Sequence, residues 1–359
     1  MDINSATTLK YQVQRSFIDP RDQTVNPISE FIDSATWNGA SGKMHWANTI
    51  NSSELLSTDS EDSGLGYISR VNNIRRINKF LEKANHCLKN GQLLVVNVET
   101  SGVRQKRIMN RWIFPLNYLI YLLDFIFNRV VPKISIFQNL YFHLTKGKNR
   151  PLSLTEALGR LICCGFHIID YKEIDGIVYI ISKKVKTPVY DMDPTYSLLV
   201  KLNRVAKDGK LIRVYKFRTM YPYSEYVQDF LYNRYGTEDG DKIRNDFRIT
   251  YWGKIFRKLW IDELPMILNL VKGEVKLVGV RPLSRSKFEI YPVNLQQLRI
   301  QSKPGLIPPY YADLPQSPEE FFKSEENYMN KYLKYPLRTD LHYFLRSMAN
   351  ILFRGVRSK

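Results

Sequence analysis

Two adjacent carboxylates, Asp262 and Glu263, stand in the stretch WIDELPMILNLVKGEVKLVGVRP, residues 260–282. Pro265 and an apolar run ending at Lys272-Gly273 follow them, so the segment reads as a helix with the acidic pair at its N-terminus. The free N–H groups and the dipole there favour anions, both carboxylates and phosphate. An acidic pair alone also serves as a simple helix cap. What sets this pair apart is the basic residues on both sides: Lys216 and Arg218 in YKFRTM, Arg248 in NDFRIT, Arg257 and Lys258 in FRKLW, and Arg281 in GVRP. Arginine offers a planar fork and lysine a point charge, and together they can neutralise a diphosphate. A carboxylate nucleophile beside a clamped diphosphate is the chemistry of phosphoryl transfer.

These elements have an order. KFRTM, Ser224-Glu225, FRIT, WGKIFRKLWIDELP, NLVKGE, VRP and KPGL (Lys303 to Leu306) follow one another as they do in bacterial sugar transferases. From about residue 191 to the C-terminus the chain resembles the polyprenyl-phosphate phosphoglycosyltransferases that begin exopolysaccharide and lipopolysaccharide assembly. The resemblance implies that Asp262 attacks the β-phosphate of a nucleotide diphosphate-sugar. It implies further that Glu263 holds Mg²⁺, and that Lys216, Arg218, Arg248, Arg257 and Arg281 clamp the phosphates, with Arg281-Pro282 nearest the nucleotide. The chain departs from the family pattern at Val280 (usually Pro), Met266 (Gln), Phe247 (Pro) and Ala206 (Gly), none of which removes a charge. The family's hydrophobic hairpin, normally just ahead of the Asp191 region, is absent from that place.

With 359 residues, 44% of them hydrophobic, the chain is long enough for two domains with real cores, and it is neither fibrous nor disordered. A net charge of +18 calls for an anionic partner: nucleic acid, lipid headgroups or phosphorylated substrates. Cys87, Cys163 and Cys164 have neither a disulfide framework nor metal-ligand spacing; the adjacent Cys163 and Cys164 read as core residues, and a reducing cytosolic setting fits. No charged n-region followed by an apolar run opens the chain, which predicts no secretory signal.

Residues 1–66 are polar and predicted to be weakly structured or a set of short loops and helices. From Tyr67 a helical period (Val71, Ile74, Ile77, Leu81, Ala84, Leu88) ends at Asn90-Gly91, and LLVVNVE follows as a buried strand. A second unit starts at Ser153, three residues before Glu156 as in a capping box; Gly165 stops its helix, and a strand hairpin turns at Asp175-Gly176. Over residues 67–185 this loosely resembles the C-terminal half of a class I methyltransferase domain. No Gly-rich cofactor turn accompanies it, so the expectation is a degenerate Rossmann-like scaffold that binds no S-adenosylmethionine; a family-specific accessory domain is the alternative. Residues 112–134, WIFPLNYLIYLLDFIFNRVVPKI, are interrupted by Asn117, Asp124 and Arg129 and are too short in their apolar runs to cross a bilayer. The segment lies in the membrane interface or is a buried helix with one polar edge.

The predicted architecture is therefore α/β. Residues 67–188 form a degenerate Rossmann-like domain, and residues 189–359 form a compact mixed α+β phosphoglycosyltransferase domain. Asp208-Gly209 should turn a hairpin that carries Lys216 and Arg218, and two helices around Tyr328–Leu333 and Leu341–Phe353 should close the chain. The expected partners are a nucleotide diphosphate-sugar, a polyprenyl phosphate and a membrane surface at the cytoplasmic face of a bacterial inner membrane. A homo-oligomer or glycan-assembly partners are compatible with this. A non-catalytic scaffold subunit is the alternative; a nucleic-acid-binding protein is less favoured, since the basic residues form no helix stripe or recognition motif.

Overall fold

Ser153 accepts a hydrogen bond from the Glu156 amide, capping a helix whose buried face is Ala157, Leu158 and Leu161; the same logic of cap and period places most elements of this chain. The structure is a computed structural model that describes residues 27–36, 44–47, 64–189, 197–238, 242–244 and 246–354. It divides into two compact units. The first runs to Pro194 and also takes in Pro222–Arg234; the second comprises Thr195–Tyr221 and Tyr235–Lys359.

The first unit is a mixed α/β layer. Its elements are α1 (Pro27–Ala35), β1 (Met44–Ala47), β2 (Gly64–Tyr67), α2 (Ile77–Cys87), β3 (Leu93–Val98), α3 (Ser101–Arg111), α4 (Leu116–Phe125), α5 (Ser135–Thr145), α6 (Leu154–Cys163), β4 (Phe166–Ile174), β5 (Ile177–Lys184) and, from the later segment, most of α7 (Gln228–Tyr235). The sheet order is β1-β2-β3-β5-β4, with the first three strands parallel and β5 antiparallel to both of its neighbours. β3 is buried at every position, as its unbroken apolar run requires of a strand covered on both faces. Asp175 and Gly176 both take positive φ at the hairpin between β4 and β5.

Several expectations are corrected. Part of residues 1–66 is integral to the sheet: β1 and β2 are strands, and Ile28, Phe31 and Ile32 of α1 pack with Met44, Leu93 and Ile181. Short strands hidden among polar residues gave no period to read. The remainder of that region, with Phe17 and Trp37, lies outside the described residues, as do Asp191, Arg357 and Lys359. The helix expected from Val71 is broken, with a 3₁₀ turn at Val71–Asn73, an extended Ile74, and α2 only from Ile77. Asn72 explains the break, because its side-chain amide bonds Glu99 O and Arg150 O while its carbonyl accepts from Glu99 N. The alternative of a buried helix at 112–134 does not hold, since α4 has no buried residue. Among the described residues no helix is long and apolar enough to cross a membrane. Cys163 and Cys164 are buried, and burial pushes the Cys164 thiol far up.

The second unit begins with a two-stranded ribbon, β6 (Leu199–Val205) and β7 (Leu211–Phe217), turned through Asp208 and Gly209 at positive φ. Then come α8 (Tyr251–Lys258), a 3₁₀ segment (Ile261–Met266), α9 (Ile267–Val271), β8 (Lys276–Val278), α10 (Val293–Arg299), β9 (Gly305–Ile307), α11 (Pro318–Lys334) and α12 (Pro336–Phe353). β8 and β9 pair in parallel, and Val278, Val280, Tyr328, Met329 and Tyr343 form the core beneath them. The polar stretch from Gly236 to Asp246 contains a two-residue strand pair, Thr237–Glu238 with Lys242–Ile243. The segment Pro222–Arg234, by contrast, packs on β4, with Arg234 paired to Asp170 at 2.7 Å.

Candidate functional site

The acidic pair lies in the first turn of the 3₁₀ segment, which passes into α9 and stops at Gly273 with φ +69°. A continuous α-helix was expected; instead Pro265 lies inside the 3₁₀ segment, and a regular α-helical ladder starts only after it. Trp260 just before it sits in the left-handed region at φ 56°, a strained conformation for an aromatic residue. It reverses the chain out of α8 and presents Asp262 and Glu263 beside β7.

Three fixtures hold that geometry. Asn269 of α9, fully buried, donates to Arg213 O at 2.8 Å and accepts from Tyr215 N at 3.0 Å, tying the strand that carries Lys216 to the helix that follows the acidic pair. Thr250 caps α8 by accepting from Gly253 N. Gly253 itself lies so close to Thr219 that an added Cβ would meet its carbonyl oxygen at 2.0 Å, so α8 reaches the end of the ribbon only without a side chain there.

The result is a cluster with Glu263 at its centre. Lys216, opposite Val200 at the open end of the ribbon, donates to Glu263 Oε1 at 2.6 Å, and Arg281 Nη2 donates to the same oxygen at 3.3 Å. The other Arg281 branch donates to the Tyr310 hydroxyl at 3.3 Å. Arg257 donates to Thr219 Oγ1 at 3.0 Å. Asp262 has no side-chain partner among the described residues, although Lys216 and Arg257 are near enough to lower its pKa. Burial dominates all the same and holds its carboxyl above the usual aspartate range, with the Glu263 charge adding to the rise. Burial likewise lowers the Lys216 ammonium pKa against the pull of Glu263, and lowers that of Arg257. Both cations would gain from an incoming anion.

Lys216, Arg257, Arg281, Asp262 and Glu263 are therefore brought together. Arg218 donates to Ser197 O at 2.9 Å on the ribbon's edge. Arg248 is a correction to the simple picture of a phosphate clamp: it is buried and holds Asp246 through Nε and Nη2, both at 2.8 Å, so its charge is answered within its own loop. Pro282 is buried behind Arg281 and offers no polar atom outward.

Sequence reasoning missed Asn269, Tyr310 and Arg204. Arg204 shares a face of the ribbon with Lys216, since the pairs Val200–Lys216 and Arg204–Ile212 are separated by an even step; its pKa is lowered by burial and by Arg281. The alternation in LVKLNRV carried that signal. Asn269 had none beyond its place in NLVKGE, and Tyr310 had none. Arg281 is seated from behind: Arg299 donates to its carbonyl and pairs with Glu325, a carboxylate with no exposed surface.

Asp262, a carboxylate with no side-chain partner among the described residues, thus stands beside a second carboxylate held by two cations, an arrangement suited to receiving a phosphate. In comparison with known proteins, the chain matches the bacterial sugar transferase family over residues 182–354, a little under half of its length. It is 41% identical over 105 residues to the galactosyl transferase CpsE of Streptococcus agalactiae serotype III, covering 29% of this chain and 23% of that protein. It is 39% identical over 108 residues to the undecaprenyl-phosphate galactose phosphotransferase of Salmonella typhimurium, covering 29% and 22%. A third relative, the uncharacterized sugar transferase EpsL of Bacillus subtilis, is 32% identical over 157 residues, covering 44% and 64%. The chain thus spans less than two thirds of the length of each of these relatives.

Proposed function

We propose that the protein is a phosphoglycosyltransferase, moving a sugar 1-phosphate from a nucleotide diphosphate-sugar to a polyprenyl phosphate such as undecaprenyl phosphate at the start of cell-surface polysaccharide assembly. The observation that carries this reading is the unpartnered Asp262 carboxylate beside the Lys216–Glu263–Arg281 cluster. An oxygen of Asp262 attacks the β-phosphorus of the donor; the bond from that phosphorus to the bridging oxygen breaks, and the nucleoside monophosphate leaves with the electron pair. Asp262 then carries the phosphosugar as an acyl phosphate. An oxygen of the polyprenyl phosphate attacks the same phosphorus and returns the carboxylate. Atoms and charge balance without any further reactant.

Lys216, Arg257 and Arg281, with Arg204 beside them, meet the diphosphate charge that grows on the leaving group. Arg218 and Arg248 lie at the edge of this set and shape it. Mg²⁺ commonly takes one or two carboxylates together with substrate phosphates and water. The described residues contain no cluster of three or more ligating side chains, but Glu263 Oε2 has no partner among them and suits such a shared site. The ion, when bound, would lower the charge on the diphosphate. Glu263→Gln should therefore raise the Mg²⁺ requirement.

The first unit fits the degenerate Rossmann-like reading. Its parallel trio ends in an antiparallel strand slipped between β3 and β4, and the carboxyl end of β3, where such folds bind ligands, is filled by Asn72, Glu99 and Arg104. With a polyprenyl phosphate as acceptor, the enzyme works at headgroup level as a peripheral or monotopic protein of the cytoplasmic face. The test is incubation of the full chain with polyprenyl phosphate vesicles and a panel of nucleotide diphosphate-sugars, among them UDP-galactose and UDP-N-acetylgalactosamine. Acceptor-dependent release of nucleoside monophosphate is expected with one donor, and a phosphosugar adduct on Asp262 when the acceptor is withheld. No release with any donor from folded protein favours the scaffold reading.

A further inference from the structure

Apolar side chains from Trp112 to Leu144 are the densest exposed set among the described residues. α4 and α5, joined by a π turn at Ile126–Val130 and a 3₁₀ turn at Val131–Lys133, present Leu119, Leu122, Leu123, Ile136 and Leu140 outward, each more than half exposed. Asp124 and Arg129, which interrupt this run in sequence, turn the other way, as does Asn128. Asp124 accepts from Arg104 Nε at 2.7 Å and from Asn128 at 3.0 Å; Asn128 accepts from the buried Tyr141; Arg129 donates to Glu156 at 2.9 Å. The hairpin is fixed to the unit by its polar side, and its apolar side is left over.

We infer that α4 and α5, Leu116 to Thr145, form a docking surface for an anionic lipid bilayer, seated in the headgroup and upper acyl region rather than crossing it. It rests on the membrane-surface reading above but not on catalysis. Charge selects lipid as the occupant. Residues 101–148 contain eight basic side chains and one acidic one; Arg104, Arg107 and Arg129 are taken by Glu99, Asp124 and Glu156, and Lys106 by Glu173. Arg111, Lys146 and Lys148 remain exposed at the two ends of the apolar run, and Arg111 lies 5.9 Å from the ring of Trp112, itself 42% exposed. An aliphatic centre with an aromatic and basic rim matches the layering of a bilayer surface, where indole and phenol rings sit at headgroup depth and basic groups meet anionic phosphates. A second copy of a chain carrying +18 would bring the same basic rim against itself.

Vesicle flotation of the full chain tests this, using phosphatidylcholine vesicles with and without phosphatidylglycerol. The wild type should float with anionic vesicles and remain substantially bound in 1 M salt, as apolar burial is not screened whereas the basic contribution is, with a Debye length of about 3 Å. The exposed triple variants Leu119→Ser/Leu122→Ser/Phe125→Ser and Ile136→Ser/Phe137→Ser/Leu140→Ser should keep their circular dichroism and lose partitioning by roughly a hundredfold or more, from the loss of three large apolar side chains each. Gln138→Ser/Asn139→Ser, which alters exposed polar residues of α5 and removes no apolar side chain, should float as the wild type does. If the folded triple variants float like the wild type, the surface is overturned while the membrane reading stands. If the wild type stays in solution, the membrane reading falls and the surface with it. If light scattering shows a lipid-free dimer that the triple variants dissociate, the face joins two copies or a protein and the lipid assignment is overturned.

Discussion

Two charge clusters in this molecule look alike in composition and differ in closure. In the first unit, the buried Glu99 meets Arg70, Arg104 and Arg107 at 3.4, 3.7 and 2.8 Å, and Arg104 spends its remaining N–H groups on Asp124 and Asn149. Glu156 is held by Arg129 and Arg160, both at 2.9 Å. Each of these carboxylates is answered. In the second unit, one oxygen of Glu263 takes two cations, its other oxygen and Asp262 take no side chain among the described residues, and burial lowers the pKa of Lys216 and Arg257. A closed network holds the fold in one state. An open one keeps charge in reserve for a ligand, and a buried site tolerates that only where function requires it.

Substitutions can break this contrast. The largest effect is expected at Asp262→Asn, with turnover falling by roughly four orders of magnitude or more, since an amide is no anionic nucleophile. The same change should leave the fold intact and raise stability at neutral pH. The folded-state pKa of Asp262 is raised, so the protonated form is favoured in the native protein, and the ionised form costs stability as pH rises through the folded value. The gain over the wild type should vanish on the acid side of the unfolded pKa, as read by thermal melts across pH. The same shift predicts that the acid limb of the pH–rate profile lies above the ordinary aspartate range.

Arg104→Met tests the closed network. Glu99 and Asp124 would lose their shared partner, and unfolding in urea should show a loss of about 3–5 kcal/mol, the usual result of leaving buried charge uncompensated. A loss under about 1 kcal/mol would mean that Arg70, Arg107 and Asn128 suffice, and the contrast between the two clusters would be one of degree. Arg281→Lys keeps the charge but loses the fork that spans Glu263 and Tyr310, so kcat/KM should fall by roughly ten- to a hundredfold with stability little changed. Tyr310→Phe is expected to be the mildest, removing one hydrogen bond and lowering kcat/KM by about fivefold, near 1 kcal/mol. An effect equal to that of Arg281→Lys would make Tyr310 a group that touches the phosphates itself.

Local chemistry was legible in the sequence wherever it depends on neighbours along the chain. The Ser153 cap, the stop at Gly165, the hairpin turns at Asp175-Gly176 and Asp208-Gly209 and the placement of Asp262 and Glu263 in one helical turn all follow from residue type and short spacing. The ordered motifs also carried the family, since a series of short patterns in fixed order is far more specific than any one of them. What the sequence left open depends on residues far apart in the chain. Whether Arg248 faces a phosphate or Asp246 is decided by the fold of one loop, and both answers read identically as NDFRIT. Asp124 and Arg129 looked like flaws in an apolar run until Arg104 and Glu156 were found to receive them, and only then did that run acquire a polar inside and an apolar outside. The sequence by itself determined which groups are charged and where the strongly periodic and capped helices and strands lie, because periods, caps and turns are short-range; β1, β2 and the break at Asn72 depend on distant partners. Only the tertiary structure decided which charges cancel and which remain open, because ion pairing acts through space between residues that the chain order keeps apart.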